Sequence, residues 1–161
     1  MRKVLPYPPA AVRDFFRTVP ELTDIVPIEL IRTGKPPREI TRPYILVRPL
    51  VTTGKDPLLK SPIVQLEACA PPLETYLALP ADDPIRIMFG STDPEELVWD
   101  IAALAGELIT RAKNSFQFRN SNWKGAWIEG PLIIEDTSRG EGQLIYRAPI
   151  RIQLRMLTRS S

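Results

Sequence analysis

From Tyr146 to Met156 the chain alternates without a break. Tyr146, Ala148, Ile150, Ile152, Leu154 and Met156 are interleaved with Arg147, Pro149, Arg151, Gln153 and Arg155. Period-two patterning of this kind builds a strand with one dry face and one cationic face, as antiparallel sheets use. A dry sheet face has to be covered by a second layer. Proline donates no ladder hydrogen bond, so Pro149 predicts an edge strand or a bulge at that point.

The covering layer is legible in two helical segments. Pro8 and Pro9 introduce a helix expected over 9–19, because a first-turn proline lacks only an N–H that would be unpaired there anyway. Val12, Phe15, Phe16 and Val19 recur at the spacing of one buried face, and Pro20 is expected to stop the helix. A longer helix is expected over 93–113. Thr92-Asp93-Pro94-Glu95 reads as a capping box, with acids at the positive end and Arg111 and Lys113 at the negative end. Its stripe is Leu97, Ile101, Leu104 and Leu108, widened by Val98, Ala105 and Ile109, and Glu107 and Arg111 stand at pairing distance.

Between these helices, Tyr44–Val47, Ile63–Ala68 and Ile85–Phe89 read as strands. Val64, Leu66 and Ala68 share one face of the second. Long loops are expected at 32–43 and 52–62. After the long helix come Phe116-Gln117-Phe118, a polar turn at Asn120-Ser121-Asn122, a strand from Trp127 to Glu135 and a turn at 138–142. Eighteen prolines punctuate these short elements. A chain of 161 residues fits one domain. The expected fold is therefore α+β over 1–161, a largely antiparallel sheet packed against two helices.

The chain contains no histidine and one cysteine. Without histidine the common Ser–His–Asp, Cys–His and zinc-hydrolase designs cannot be built. Cys69 is expected to be buried and inert. Gly34-Lys35 and Gly54-Lys55 fail as phosphate loops, because Glu29 and Pro49 stand where the leading glycine belongs. The acids at Asp82-Asp83, Asp93/Glu95/Glu96/Asp100 and Glu135-Asp136 are explained by turns and the helix dipole. No catalytic residue, metal site or cofactor is expected. A net charge of +2 lacks the basic excess of a nucleic-acid binder. The segment Phe116–Lys124 interleaves aromatic and basic residues and could stack on single-stranded bases, but reads more simply as a helix end entering a hairpin. The basic start meets prolines instead of an apolar run, so no secretory signal is expected. No stretch approaches the roughly 18 apolar residues of a membrane span, and a soluble protein made inside a cell is expected.

Taken together, the segment Val4-Leu5-Pro6-Tyr7-Pro8-Pro9 leading through Phe16 and Leu22, the run Thr41-Arg42-Pro43-Tyr44-Ile45-Leu46-Val47, the helix end Leu108-Ile109-Thr110-Arg111-Ala112-Lys113-Asn114 and the closing alternating strand resemble tail terminator proteins of long-tailed bacteriophages, closest to those of phages infecting mycobacteria. The resemblance implies an α/β sandwich without catalytic residues. It implies a ring, typically of six copies, that caps the tail tube, stops its polymerisation and offers a surface to the head-side connector. Expected partners are therefore further copies of the chain, the tail-tube protein and the connector, with genomic DNA passing through unread. The expected location is the head-proximal end of the virion's tail. A head-closure or other neck protein, a tail-tube subunit and, more distantly, a single-stranded nucleic-acid-binding protein are the alternatives. Ring contacts need two different surfaces on each subunit. The arginine row Arg147, Arg151 and Arg155, and the loop cations Lys35, Arg38, Lys55 and Lys60, are the candidate contact residues.

Overall fold

The computed structural model describes residues 5–54, 59–89, 92–112, 114–140 and 143–158. Among them seven strands form one sheet: β1 (Ile31–Thr33), β2 (Tyr44–Thr53), β3 (Leu59–Ala70), β4 (Phe116–Phe118), β5 (Ser121–Glu129), β6 (Ile134–Asp136) and β7 (Ile145–Thr158). The order across the sheet is β1-β2-β3-β7-β5-β4, with β6 pairing on β7. Only the β1–β2 pair is parallel. Five helices accompany it: α1 (Pro8–Phe16), α2 (Pro20–Thr23), α3 (Leu73–Leu77), α4 (Pro84–Phe89) and α5 (Pro94–Arg111). The fold is an α+β sandwich.

The principal helix, α5, is about 27 Å long at 1.5 Å per residue. Asp93, not Thr92, is its N-cap, taking the backbone N–H of Glu95 onto its carboxylate at 3.0 Å. Every expected stripe residue is buried except the half-buried Leu104. The helix packs on β7, β3 and β5. Two glycines allow its close approach. A Cβ on Gly106 would lie 2.4 Å from the Trp127 ring, and one on Gly125 would lie 2.7 Å from Ile109.

On the same face α1 packs against β1, β2 and β3. It ends at Phe16, short of the expected Val19, and Pro20 opens α2 instead of merely stopping α1. Arg17 donates from Nε to the Ile31 carbonyl at 2.9 Å, and Arg13 reaches the Thr33 hydroxyl at 3.0 Å, so α1 is tied to β1. Val12, Phe16, Ile45, Val47, Val64, Leu66, Ala68, Ile101, Ala148, Ile150 and Ile152 meet in the main core between the layers.

Several expectations are corrected. Residues 85–89 are helical, not a strand: Asp83 accepts the Ile85 N–H at 2.9 Å, Pro84 suits a first turn, and Ile85 and Phe89 are buried four residues apart while Ile87 and Met88 are exposed. The loop expected at 52–62 is largely the ends of β2 and β3, which pair out to Thr53 and Ser61. The strand expected from Trp127 to Glu135 begins at Ser121 and breaks before β6, and the turn before it sits at Arg119-Asn120, with Arg119 at φ 53°. Arg111 pairs with Glu21 at 3.1 Å, not with Glu107. Lys113 and residues 141–142 lie outside the described residues.

Pro149 does not mark an edge, because β7 lies between β3 and β5 in the middle of the sheet. The proline is accommodated by its neighbours. On one side Glu67 stands opposite it; on the other, β5 ends at Glu129 opposite Arg151 and β6 begins opposite Arg147. Pro149 falls in that gap, where Gly130 passes close to its carbonyl.

Candidate assembly surfaces

The sheet face turned away from α1 and α5 is the cationic side of β7. Its two halves differ. The half nearer the start of β7 is partly closed by loop residues and holds a small second core of Tyr44, Leu46, Cys69 and Ile145, with Leu30 and Ile40 against it. Burial pushes the Cys69 thiol up to about 12, so it stays a neutral thiol near pH 7. Burial also raises the Tyr44 phenol well above its ordinary value.

Beside this cluster sits a charge network. Glu67 is buried, and Arg147 grips it from Nη2 at 2.6 and 2.7 Å and from Nε at 2.9 Å. Gln65 donates to the same carboxylate at 2.6 Å, and Asp136 stands 3.5 Å from Arg147 Nη1. Burial alone would lower Arg147, but the hydrogen bonds and charge of Glu67 outweigh it and hold the guanidinium above its ordinary value. Asp136 is held below the ordinary carboxylate range by its hydrogen bonds from Ser138, with Arg147 and Arg139 adding to them. A cavity of about 230 Å³ borders this network, lined by Arg48, Glu67, Asp136, Arg139 and Arg147 among others.

Among the described residues, the other half of this face carries no helix. All of β2 from Arg48 to Thr53 is exposed. Cross-strand pairing puts Val51 beside Ile63, Ile63 beside Gln153, Ala126 beside Gln153, Lys124 beside Arg155, and Asn122 and Leu59 beside Leu157. Val51 and Leu157 are large exposed apolar side chains. A groove of about 240 Å³ runs between Ser61, Lys124, Gly125, Ala126, Gln153 and Arg155. Apolar and basic side chains are mixed on this sheet surface.

A second surface lies at the opposite end of the strands, on the helix side. Tyr146, near the start of β7, has its phenol raised by burial and then by the charges of Glu135, Glu95, Asp93 and Glu74. Those four exposed carboxylates come from β6, the start of α5 and α3. α3 packs on α4, and Leu77, Ile87 and Met88 are exposed there. This end is acidic and apolar.

The arginine row therefore splits. Arg147 is committed within its own chain. Arg151 pairs with Glu129 at 3.3 Å, an exposed contact that contributes at most about 1 kcal/mol. Arg155 is exposed at the groove. Of the loop cations, Lys35 and Arg38 are exposed beyond β1, Lys60 donates to the Gly54 carbonyl at 2.9 Å, and Lys55 lies outside the described residues. Arg139 reaches the Pro37 and Arg38 carbonyls at 3.3 and 3.5 Å, fastening that loop. Missed in the sequence were Arg48 and the acidic end. Arg48 belongs to a run hidden by Pro49, and the four acids come together only through the fold.

The aromatic-basic segment is occupied internally. Phe116 and Trp123 pack on Phe15 with ring centroids 4.2 and 6.0 Å away, and Phe118 is buried. Among the described residues no three His, Cys, Asp or Glu side chains gather as a metal-binding group, and no helix is long and apolar enough to cross a membrane. Comparison with protein-family models and with curated proteins finds no match to this chain.

Proposed function

We propose that this protein is a structural ring-former of the tail terminator type, capping a phage tail tube at its head-proximal end and presenting a docking surface to the head connector. The observation that carries the reading is the lopsided sandwich. α1 and α5 lie on one face of the sheet, while among the described residues half of the other face, from Arg48 to Thr53 and across to Leu157, carries no helix and brings apolar and basic side chains together. An exposed sheet surface of that composition is an interaction surface. The α+β sandwich agrees with the fold that the resemblance implies. The same surface suits other neck proteins, so the partner decides between them.

The single-stranded nucleic-acid reading has less support, because the rings it would need are spent on the core. The test is negative-stain imaging of the purified protein alone and mixed with tail tubes of the same virus. Rings, or a cap at one end of each tube, are the expected result. A monomer that ignores tube ends would defeat the proposal.

A further inference from the structure

We infer that the contact between neighbouring copies joins the acidic, apolar end around Tyr146 of one copy to the mixed apolar and basic half-face of the next. The inference rests on the ring reading above and names the two surfaces that would make it.

The two surfaces match in chemistry. One presents Glu135 directly opposite Tyr146, with Glu95 and Glu74 acting on the same phenol, and carries the exposed Leu77, Ile87 and Met88 on the contacting helices α3 and α4. The other presents Arg48 and Arg155 with the exposed Val51 and Leu157. Apolar side chains accompanied by opposite charges are what a specific protein contact uses: burial supplies affinity, and opposite charges fix partner and register.

The two surfaces also differ in place. Tyr146 and Leu157 stand near the two ends of β7, roughly 35 Å apart at about 3.3 Å per residue. Tyr146 points to the helix side, with Ala148 and Ile150, and Leu157 to the other. One copy cannot satisfy its own patches, and two copies related by a two-fold axis would not bring the unlike patches together unless both pairs met at once across that distance. A head-to-tail contact does so directly and leaves one unlike patch free at each end. Such contacts close into a ring or run on as a filament. The carboxylates and the guanidinium groups of these patches are solvated in the single copy, so the contact gains by pairing them.

Charge exchange tests this. One variant carries Arg48→Glu and Arg155→Glu, a second carries Glu74→Lys and Glu135→Lys, and a third carries all four changes. Each is first checked for wild-type circular dichroism and thermal midpoint, and its mass is then measured by light scattering over a range of concentrations. The wild type is expected to assemble, the first and second variants to be monomeric alone, and their equimolar mixture and the third variant to recover the wild-type mass. Should either reversal disturb the fold, the neutral pair Arg155→Gln and Glu135→Gln is used, each expected to weaken assembly by up to about fivefold. A wild type that stays monomeric overturns this inference together with the ring reading. A wild type that assembles while the reversed variants keep full mass, or fail to recover on mixing, overturns this inference alone.

Discussion

Arg147 holds the buried carboxylate of Glu67 through two of its nitrogens, the shortest approach being 2.6 Å. The two residues belong to different strands, eighty positions apart in sequence, and both project from the sheet face opposite α5. Arg147 thus differs in kind from Arg155, though the alternation of β7 makes them look equivalent.

Removing the arginine while leaving the acid is therefore expected to be costly. Arg147→Ala should lower unfolding stability by about 3 kcal/mol, since it leaves a buried charge without its partner. Glu67→Gln combined with Arg147→Met should recover much of that loss. Urea unfolding of the wild type and these two variants measures it; an Arg147→Ala midpoint equal to wild type would place the arginine's role outside the single chain.

Gly106 sits beneath the indole of Trp127, whose Nε1 donates to the carbonyls of Glu129 and Gly130 at 3.2 and 3.1 Å. Alanine in a helix interior ordinarily gains up to about 1 kcal/mol over glycine. Here the added methyl would meet a ring held in place, so overpacking of about 1–3 kcal/mol is expected to win. Gly106→Ala should lower the thermal midpoint, and Trp127→Ala in the same chain should relieve the clash, seen as a smaller than additive loss.

Tyr76 is fully buried in α3, and its hydroxyl meets no hydrogen-bond partner among the described residues. Burial alone raises its pKa above the ordinary value. Tyr76→Phe should leave the fold intact and raise stability by about 1 kcal/mol, the cost of an unpaired buried hydroxyl. Calorimetry would show it; a drop of that size would mean that the hydroxyl is satisfied.

Asp136 gives a pH signature. Its folded-state pKa lies below the ordinary 3.8, because of Ser138 first and the neighbouring arginines after it. Its stabilising contribution is therefore complete above the unfolded value and is lost as pH falls from there through the folded value. Wild type should lose stability more steeply than Asp136→Asn below about pH 4, with parallel curves above. Identical slopes throughout the acid range would contradict this.

The sequence carries the α5 helix and the β7 alternation plainly, because both are long and periodic. Shorter segments misled. Ile85–Phe89 is five residues of apolar-rich chain whose period cannot be read without the Asp83 cap. Gly54, Lys55 and Pro57 made 52–62 look like a loop, although β2 and β3 stay paired out to Thr53 and Ser61. Pro149 suggested an edge because its own missing donor is visible in sequence, whereas the gap its neighbours leave for it is not. Of the candidate contacts, the cationic row was legible as a row. Its division into a committed Arg147 and an exposed Arg155 depends on Glu67, which strand order alone brings within reach.

That strand order has a consequence for how the molecule is made. β7 follows β3 and β5 in the chain, yet lies between them. Until it emerges from the ribosome, the β2–β3 hairpin and the β4–β5 hairpin have no shared ladder, and each must wait with an unsatisfied edge. A chain paused near residue 140 would hold two separate halves prone to pairing with strangers. β7 is thus the strand that joins the two hairpins into one sheet, so neither half of the ladder can be completed before it is made.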